Sequence, residues 1–281
     1  MKGELVSEAP ASHLRLPASG SIVIDGAADA NSPPHEEVVH QIDDLDLRRF
    51  LPVAAAFGSE RFGYVVTPNV DHFVRCHEDP PFRASYRAAS YVLLDSRVAA
   101  LLLRLYGSPR LPVCAGSDLL PALLAEVVAP TDRVLLIGGS ARQADMVAER
   151  YGLANFLHHN PPMGFIRDPA ALETCMQFIE NASPFRFCFL AVGTPQQEEM
   201  ALQLARRGAA KGLVLCVGAA LNFLTGVEAR APRWMQQMAL EWLYRLLRDP
   251  RRLARRYLVR GPRVFGHLRR ARVVLRPTMV A

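Results

Sequence analysis

Three polar residues follow two predicted strands, at the points where those strands end. Thr67 and Asn69 come after the apolar run Phe62 to Val66, and Asp95 comes after Tyr91 to Leu94. A carboxylate in such a position can act as a general base that removes a proton from a hydroxyl group. Hydroxyl and amide side chains beside it can orient a polar ligand. A structural interpretation stays open, because Asn69 and Asp95 precede predicted helices whose amino ends they could cap.

A further candidate, Gln197, belongs to the string GTPQQEE at residues 193–199. Pro195 suits the first turn of a helix, and Glu198 complements the positive end of the helix dipole. That turn does not explain Gln197. Its amide can donate and accept hydrogen bonds.

Glycines at two other strand ends are weaker candidates for nucleotide binding. Gly138 and Gly139 precede a predicted helix, where backbone N–H groups and the helix dipole can favour a phosphate. A tight turn explains the same pair equally well. Gly218 follows the last strand of the predicted sheet, and we expect it to contribute shape rather than chemistry.

The positive charge of the chain is concentrated near its carboxyl end. From Arg245 to Arg276 there are twelve arginines and one acid, Asp249, so this segment carries +11 while the whole chain carries +6. Such a block suits nucleic acid, anionic lipid or a phosphorylated substrate. No helix-turn-helix, zinc-finger or aromatic RNA-binding pattern accompanies it. We therefore expect an anionic membrane surface or a diphosphate as the partner, and no nucleic acid.

Helical spacing gives the basic segment an apolar side, which predicts an amphipathic helix that can lie in a membrane interface. A solvated charged face is the alternative. Arginines Arg251, Arg252, Arg255 and Arg256 form one side of this helix, and Leu253, Ala254, Tyr257 and Leu258 form the other.

A second predicted helix starts at Pro232 and carries an apolar stripe at spacings of three and four. We expect Trp242 in this stripe to be a core residue. An exposed part of the stripe could form a contact between subunits of a homo-oligomer. The stripe consists of Met235, Met238, Ala239, Trp242 and Leu246.

Apolar runs of strand length alternate with helical patterns through most of the chain. This alternation predicts an α/β fold with a Rossmann-like parallel sheet, helices on both faces and a C-terminal basic helical appendage. Ligands of such sheets bind beyond the carboxyl ends of the strands. The predicted strands are Phe62 to Val66, Tyr91 to Leu94, Arg133 to Ile137, Phe185 to Val192 and Gly212 to Val217. Of the predicted helices that follow the first four strands, one starts at Val70 and the other three run through Tyr106, Tyr151 and Arg207.

Composition changes along the chain suggest three parts. Residues 1–35 are rich in Ala, Ser, Pro and Gly and are predicted to be flexible, with a short edge strand at Ser21 to Ile24. Residues 36–244 form the predicted Rossmann-like domain, and residues 245–281 form the basic, membrane-associating appendage. The longest apolar run, Gly212 to Leu224, is too short to cross a bilayer.

Neither a secretion signal nor a cofactor or metal motif is expected. The amino terminus lacks a basic stretch followed by an apolar one. Five widely spaced cysteines are interpreted as reduced core residues of a cytosolic protein. The run His158-His159-Asn160 is interpreted as a loop rather than a metal site, because no ligand follows at suitable spacing.

Three strings together resemble the WecG/TagA/CpsF family of bacterial glycosyltransferases: TPNVDH at residues 67–72, GTPQQEE at 193–199, and RAPRWMQQMALEWLYRLLRDP at 230–250. The resemblance covers about residues 36–258. It implies an inverting, metal-independent transfer from a UDP-sugar to a polyprenyl-diphosphate-linked saccharide in cell-surface or exopolysaccharide synthesis. It also implies a cytoplasmic protein held peripherally on the inner face of the cytoplasmic membrane.

The resemblance also implies roles for the candidates. Asp95 matches the proposed catalytic base, and Thr67, Asn69 and Gln197 match residues that bind the sugar nucleotide. Near the carboxyl end, three arginines match residues that close over the site and bind diphosphate. These arginines are Arg245, Arg252 and Arg255.

Two positions depart from the family pattern. Ser96 replaces the glycine that usually follows the aspartate, and Val113 replaces a common arginine. If that arginine contacts the acceptor or diphosphate, Arg110 or Arg97 would have to take its place. A catalytically degenerate scaffold in a polysaccharide assembly complex is therefore an alternative. A Rossmann oxidoreductase fits less well, because the glycine fingerprint after the first strand is missing.

Overall fold

Residues 22–24, 38–269 and 271–277 are described by a computed structural model of the chain. The predicted flexible segment, residues 1–35, lies outside the described residues apart from Ile22–Ile24 of the predicted edge strand. The strands are β1 (Ile22–Ile24), β2 (Val39–Asp43), β3 (Phe62–Val66), β4 (Tyr91–Val92), β5 (Arg133–Ile137), β6 (Asn155–His159), β7 (Phe187–Leu190), β8 (Gly212–Cys216) and β9 (Arg272–Arg276).

Helices flank these strands, and short 3₁₀ and π-helical turns occupy Phe165–Arg167 and Arg255–Arg260. The α-helices are α1 (Leu47–Phe57), α2 (Val70–Glu78), α3 (Pro80–Arg87), α4 (Arg97–Leu105), α5 (Gly116–Glu126), α6 (Ala141–Tyr151), α7 (Pro169–Asn181), α8 (Gln196–Arg207), α9 (Ala220–Leu224), α10 (Arg233–Gln237), α11 (Glu241–Arg248), α12 (Pro250–Ala254) and α13 (Arg263–Arg269).

The main sheet has six strands in the order β4-β3-β8-β7-β5-β6, and every pairing in it is parallel. Alternate residues of its strands enter two separate cores. Val65 and Leu136 pack on one face, whereas Val66 and Leu135 pack on the other. Because both faces are buried, the inner strands β7 and β8 are continuously apolar. The predicted Rossmann-like α/β fold is confirmed.

Three predicted strands are longer than the observed ones, and one predicted loop is a strand. β7 covers Phe187–Leu190 rather than Phe185 to Val192, and β8 ends at Cys216 rather than Val217. β4 ends at Val92 rather than Leu94, although the backbone of Leu93 still donates to Val66 in β3. His158 and His159 lie in the edge strand β6, not in a loop. Backbone pairing with β5 holds them there, and the ring of His159 stacks on Phe178 with centroids 5.1 Å apart.

A second sheet was not predicted. Its order is β1-β9-β2, with β9 antiparallel to β1 and parallel to β2. Val264 and Leu268 of α13 pack with residues of α2 and α4 beneath it. The division at residue 244 stays a prediction, but the basic segment ends in a strand that pairs with the amino-terminal part of the chain.

The segment before the basic region was wrongly predicted as one helix. Ala239, with φ of 59°, separates α10 from α11. Trp242 is only partly buried and meets the Tyr257 ring edge-on at 6.2 Å, so it is not a core residue. Further along the chain, the residues of the predicted apolar side of the basic helix do not share one environment, since Leu253 is buried while Leu258 is 58% exposed.

All five cysteines are free and buried, as predicted. Among the described residues, no helix has both the length and the apolar composition that crossing a bilayer requires.

Candidate active site

Thr67, Asp95 and Gly116 converge at the carboxyl edge of the main sheet. The Asp95 Oδ1 atom accepts a hydrogen bond from the Gly116 N–H at 3.0 Å. The Thr67 Oγ1 atom and the Asp95 Oδ2 atom each lie 3.7 Å from where a β-carbon on Gly116 would sit. The Thr67 hydroxyl donates to the Cys216 carbonyl at the end of β8, at 3.4 Å. The structure therefore brings together two residues that the sequence placed after different strands.

Burial raises the pKa of Asp95 from 3.8 to about 7. The Gly116 N–H and the Arg245 guanidinium oppose this rise, whereas the carboxylates of Glu241 and Asp118 add to it. A carboxylate whose pKa is near neutral is well matched to general-base catalysis. Its charge also depends on Arg245 of α11, a residue just outside the predicted Rossmann-like domain.

Asn69 has the capping role considered for it, and its role in ligand binding stays a prediction. Its Oδ1 atom caps α2 by accepting from the Asp71 N–H at 3.0 Å, and it also lies 3.4 Å from the Arg256 Nη2 donor. The capping alternative for Asp95 is wrong, because Ser96 caps α4 by accepting from the Ala99 N–H at 3.1 Å.

A buried polar network lies beside these residues. The Thr194 hydroxyl and the Gln197 amide both donate to Glu198 Oε1, at 3.1 and 2.8 Å. Because the Thr194 proton is used in this way, its oxygen accepts from His72 Nε2–H at 2.9 Å, and Tyr86 donates to His72 Nδ1 at 2.8 Å. When Glu198 is ionised, each bond from Tyr86 to Glu198 therefore has a single direction.

Burial sets the charges in this network. It lowers the pKa of His72 to about 3, so the imidazole is neutral, and it raises the pKa of Glu198 to about 7. Gln197 Oε1 and Glu198 Oε2 are buried and have no hydrogen-bond partner among the described residues. Gln197 Oε1 also lies 3.5 Å from where a β-carbon on Gly218 would sit. The network was missed because Glu198 was considered only as a helix-dipole residue.

The three arginines named from the resemblance occupy different positions. Arg245 lies 3.6 Å from Glu228 and over the Phe223 ring, and it acts on Asp95. Arg252 shares Glu228 with it, at 3.2 Å. Arg255 is exposed and has no ion pair in the part of the chain that the structure describes. Of these three arginines, only Arg245 acts on the predicted base.

Arg256 and Arg260 bring the basic segment onto α2 instead. They lie 3.7 and 3.8 Å from the carboxylate of Asp71, which is 7% exposed. Arg260 also reaches Glu78 at 3.6 Å. The segment after α12 therefore docks at the same edge of the sheet as Asn69.

The model of the Glycosyl transferase WecG/TagA/CpsF family matches residues 38–277. The chain belongs to this family. It is therefore a glycosyltransferase of cell-wall or polysaccharide synthesis, which acts on a sugar donor and an acceptor.

In this WecG/TagA/CpsF glycosyltransferase, packing explains the glycine pair before α6. A β-carbon on Gly138, at φ of +92°, would lie 2.9 Å from the backbone of Ala191, and one on Gly139, at φ of +76°, would lie 2.5 Å from Leu221. A capping box between Ser140 and Gln143 satisfies the end of the helix. Nucleotide binding at this pair and at Gly218 stays a prediction.

Acidic residues that could suggest a metal site have structural partners. Asp44-Leu45-Asp46 is an Asp-x-Asp string, but Asp44 pairs with Arg49 at 3.0 Å and Asp46 caps α1. The described residues contain no group of three or more His, Cys, Asp and Glu arranged to hold a metal ion. Metal independence stays a prediction.

The departures from the family pattern have structural explanations. Ser96 has an extended backbone, with φ of −151°, so the position does not need glycine. Val113 packs against the core formed by α2, α4 and α13. Neither expected substitute for the missing arginine reaches Asp95: Arg97 donates to the Gln236 carbonyl at 3.3 Å, and Arg110 is exposed.

Proposed function

We propose that this glycosyltransferase inverts the anomeric centre while moving a sugar from a UDP-sugar to a polyprenyl-diphosphate-linked saccharide, without a metal ion. The observation that carries the proposal is the Asp95 carboxylate. It is held by the Gly116 N–H, has a pKa of about 7 and is influenced by Arg245. These are the features of a base that faces a site for an anionic group.

In this mechanism, Asp95 removes the proton from an acceptor hydroxyl. The acceptor oxygen forms a bond to the anomeric carbon while the bond from that carbon to the UDP oxygen breaks. The electron pair of the broken bond leaves with UDP, and attack from the opposite face inverts the configuration. A nearby guanidinium, that of Arg245, stabilises the negative charge that develops on the leaving diphosphate.

Donor binding is assigned to Thr67, Asn69 and Gln197. Thr67 adjoins the base across Gly116, and Asn69 lies between α2 and the basic segment. Gln197 has a buried acceptor without a partner in the described structure, which suits a donor group of the ligand. The glycines before α6 and Gly218 are assigned a weaker role in shaping the nucleotide site.

The basic segment is proposed to bind the anionic inner face of the cytoplasmic membrane. Exposed arginines alternate there with apolar side chains, of which Leu247, Leu258 and Val259 are 72%, 58% and 60% exposed. Interfacial binding uses this combination of apolar burial and attraction to anionic lipid. Trp234 and Met238, 58% and 64% exposed, are the proposed contact of a homo-oligomer.

A transfer assay tests the proposal. Radiolabelled UDP-sugars would be incubated with a polyprenyl-diphosphate-linked saccharide, after thermal stabilisation by a panel of UDP-sugars has identified the donor. Asp95→Asn should abolish transfer, whereas Asp132→Asn, a substitution of a turn residue that accepts the Ala129 N–H, should not. Transfer by Asp95→Asn at the normal rate would refute the assigned base. No transfer by the wild-type protein would favour the scaffold alternative instead.

A further inference from the structure

Arg230, which the sequence analysis did not single out, lies beside the site. It precedes α10, and its Nη1 atom donates to Asp118 Oδ1 at 2.5 Å. Asp118 is in the first turn of α5, the helix whose first residue, Gly116, binds Asp95. The ion pair therefore fixes Arg230 to the element that positions the proposed base.

The rest of the Arg230 guanidinium is unused. Its Nε and Nη2 atoms are buried and have no hydrogen-bond partner among the described residues. These two nitrogens form one edge of the planar group, and their N–H bonds point the same way. An edge of this kind matches two oxygens of a phosphate. Leaving buried donors unpaired is costly, so their presence beside the element that positions the proposed base indicates a ligand.

Acidic neighbours keep this guanidinium positive, and a second guanidinium acts on one of the same acids. Burial alone would lower the pKa of Arg230, but the carboxylates of Asp118, Glu241 and Asp95 outweigh it and raise that pKa. Arg245 also acts on Asp95, and its Nε atom is likewise buried without a partner in the described structure. Two guanidinium groups with free donors therefore act electrostatically on the same carboxylate.

We propose that Arg230 binds phosphate oxygens of a substrate diphosphate through its Nε–H and Nη2–H, while Asp118 holds Nη1. The inference rests on the proposed function, which supplies the diphosphate. Both UDP and the lipid-linked acceptor carry this group, so binding measurements must distinguish the two sources. A lysine at this position would keep the charge but lose the paired donors.

Arg230→Lys tests the proposal, with Arg233→Gln as the matched control. Arg233 is an exposed arginine three residues later, with no ion pair in the described part of the chain. If the site takes the donor, Arg230→Lys should weaken UDP binding in calorimetry by about tenfold. If it takes the acceptor, UDP affinity should stay constant and the acceptor KM should rise by about tenfold instead. The control should change neither.

Chemical footprinting of the wild-type protein gives an answer even if Arg230→Lys does not fold. Inorganic pyrophosphate should slow modification of Arg230 by phenylglyoxal and leave Arg233 unaffected, as read by mass spectrometry. Protection of Arg230 in a protein that transfers no sugar would support the diphosphate site and refute the proposed function. Equal modification of Arg230 with and without pyrophosphate would overturn the inference.

Discussion

Replacing Asp95 with asparagine should remove activity and increase stability. In the folded protein the pKa of Asp95 is raised from 3.8 to about 7, mainly by burial, so folding disfavours the ionised carboxylate. A shift of about 3 pKa units corresponds to about 4 kcal/mol. Partial exposure of Asp95 to water reduces the effect, and we expect a gain of about 2 kcal/mol above neutral pH. The carbonyl of the introduced amide can still accept from the Gly116 N–H.

The pH dependence distinguishes this explanation from a general improvement in packing. Because the folded pKa lies above the unfolded one, the wild-type protein loses stability as pH rises from about 4 to about 7. The variant lacks this loss. Its advantage should therefore be complete above about pH 7, decrease as pH falls, and disappear below about pH 4.

Urea unfolding followed by circular dichroism at several pH values measures the difference in unfolding free energy. Asp132→Asn is the control, because Asp132 holds a turn through the Ala129 N–H at 2.8 Å and is not part of the site. It should retain transfer activity and gain no stability at high pH. A stability gain for Asp95→Asn that is constant with pH, or a loss at about pH 8, would refute the reasoning.

Three further predictions follow from other contacts. Glu198→Gln should raise the unfolding free energy by up to about 3 kcal/mol above pH 7 and should not change it below about pH 4.5, because burial raises the pKa of this acid from 4.5 to about 7. Urea titrations in which the variant and the wild type differ by the same amount at both pH values would contradict this prediction. Arg251→Gln with Arg255→Gln should weaken binding to anionic vesicles by about 2 kcal/mol, or roughly thirtyfold, in sedimentation; unchanged binding would exclude these exposed arginines from the membrane contact. Gly139→Ala should lower the unfolding free energy by about 2 kcal/mol, since φ is +76° and the new methyl group would meet Leu221. A urea midpoint equal to that of the wild type would show that the turn accepts a side chain at this position.

Local sequence patterns determined much of the main sheet. Strands β3 and β5 have the predicted bounds, and each contains an apolar run that directly follows an arginine. Thr67 and Asp95 could be placed together because parallel strands end at one edge. The β2–β9 pairing could not be predicted, since more than two hundred residues separate the strands and their local patterns are short.

The missed residues of the site share one property. Glu198 and Arg230 are charged residues whose importance depends on burial and on distant partners. In the sequence they resemble ordinary surface charges at helix ends. Their unpaired buried atoms are visible only after the elements are packed together.

The central position of β9 affects how the protein is made. β2 is synthesised about 230 residues before the strand that it pairs with, so this pairing cannot form until residues 272–276 have left the ribosome. The arginine-rich segment is then anchored at both ends, by α11 near Asp95 and by β9.

A truncation at residue 245 would remove the middle strand of the smaller sheet, and a truncated protein that failed to reach the membrane could simply be misfolded. Point substitutions of exposed arginines are therefore the informative way to study targeting.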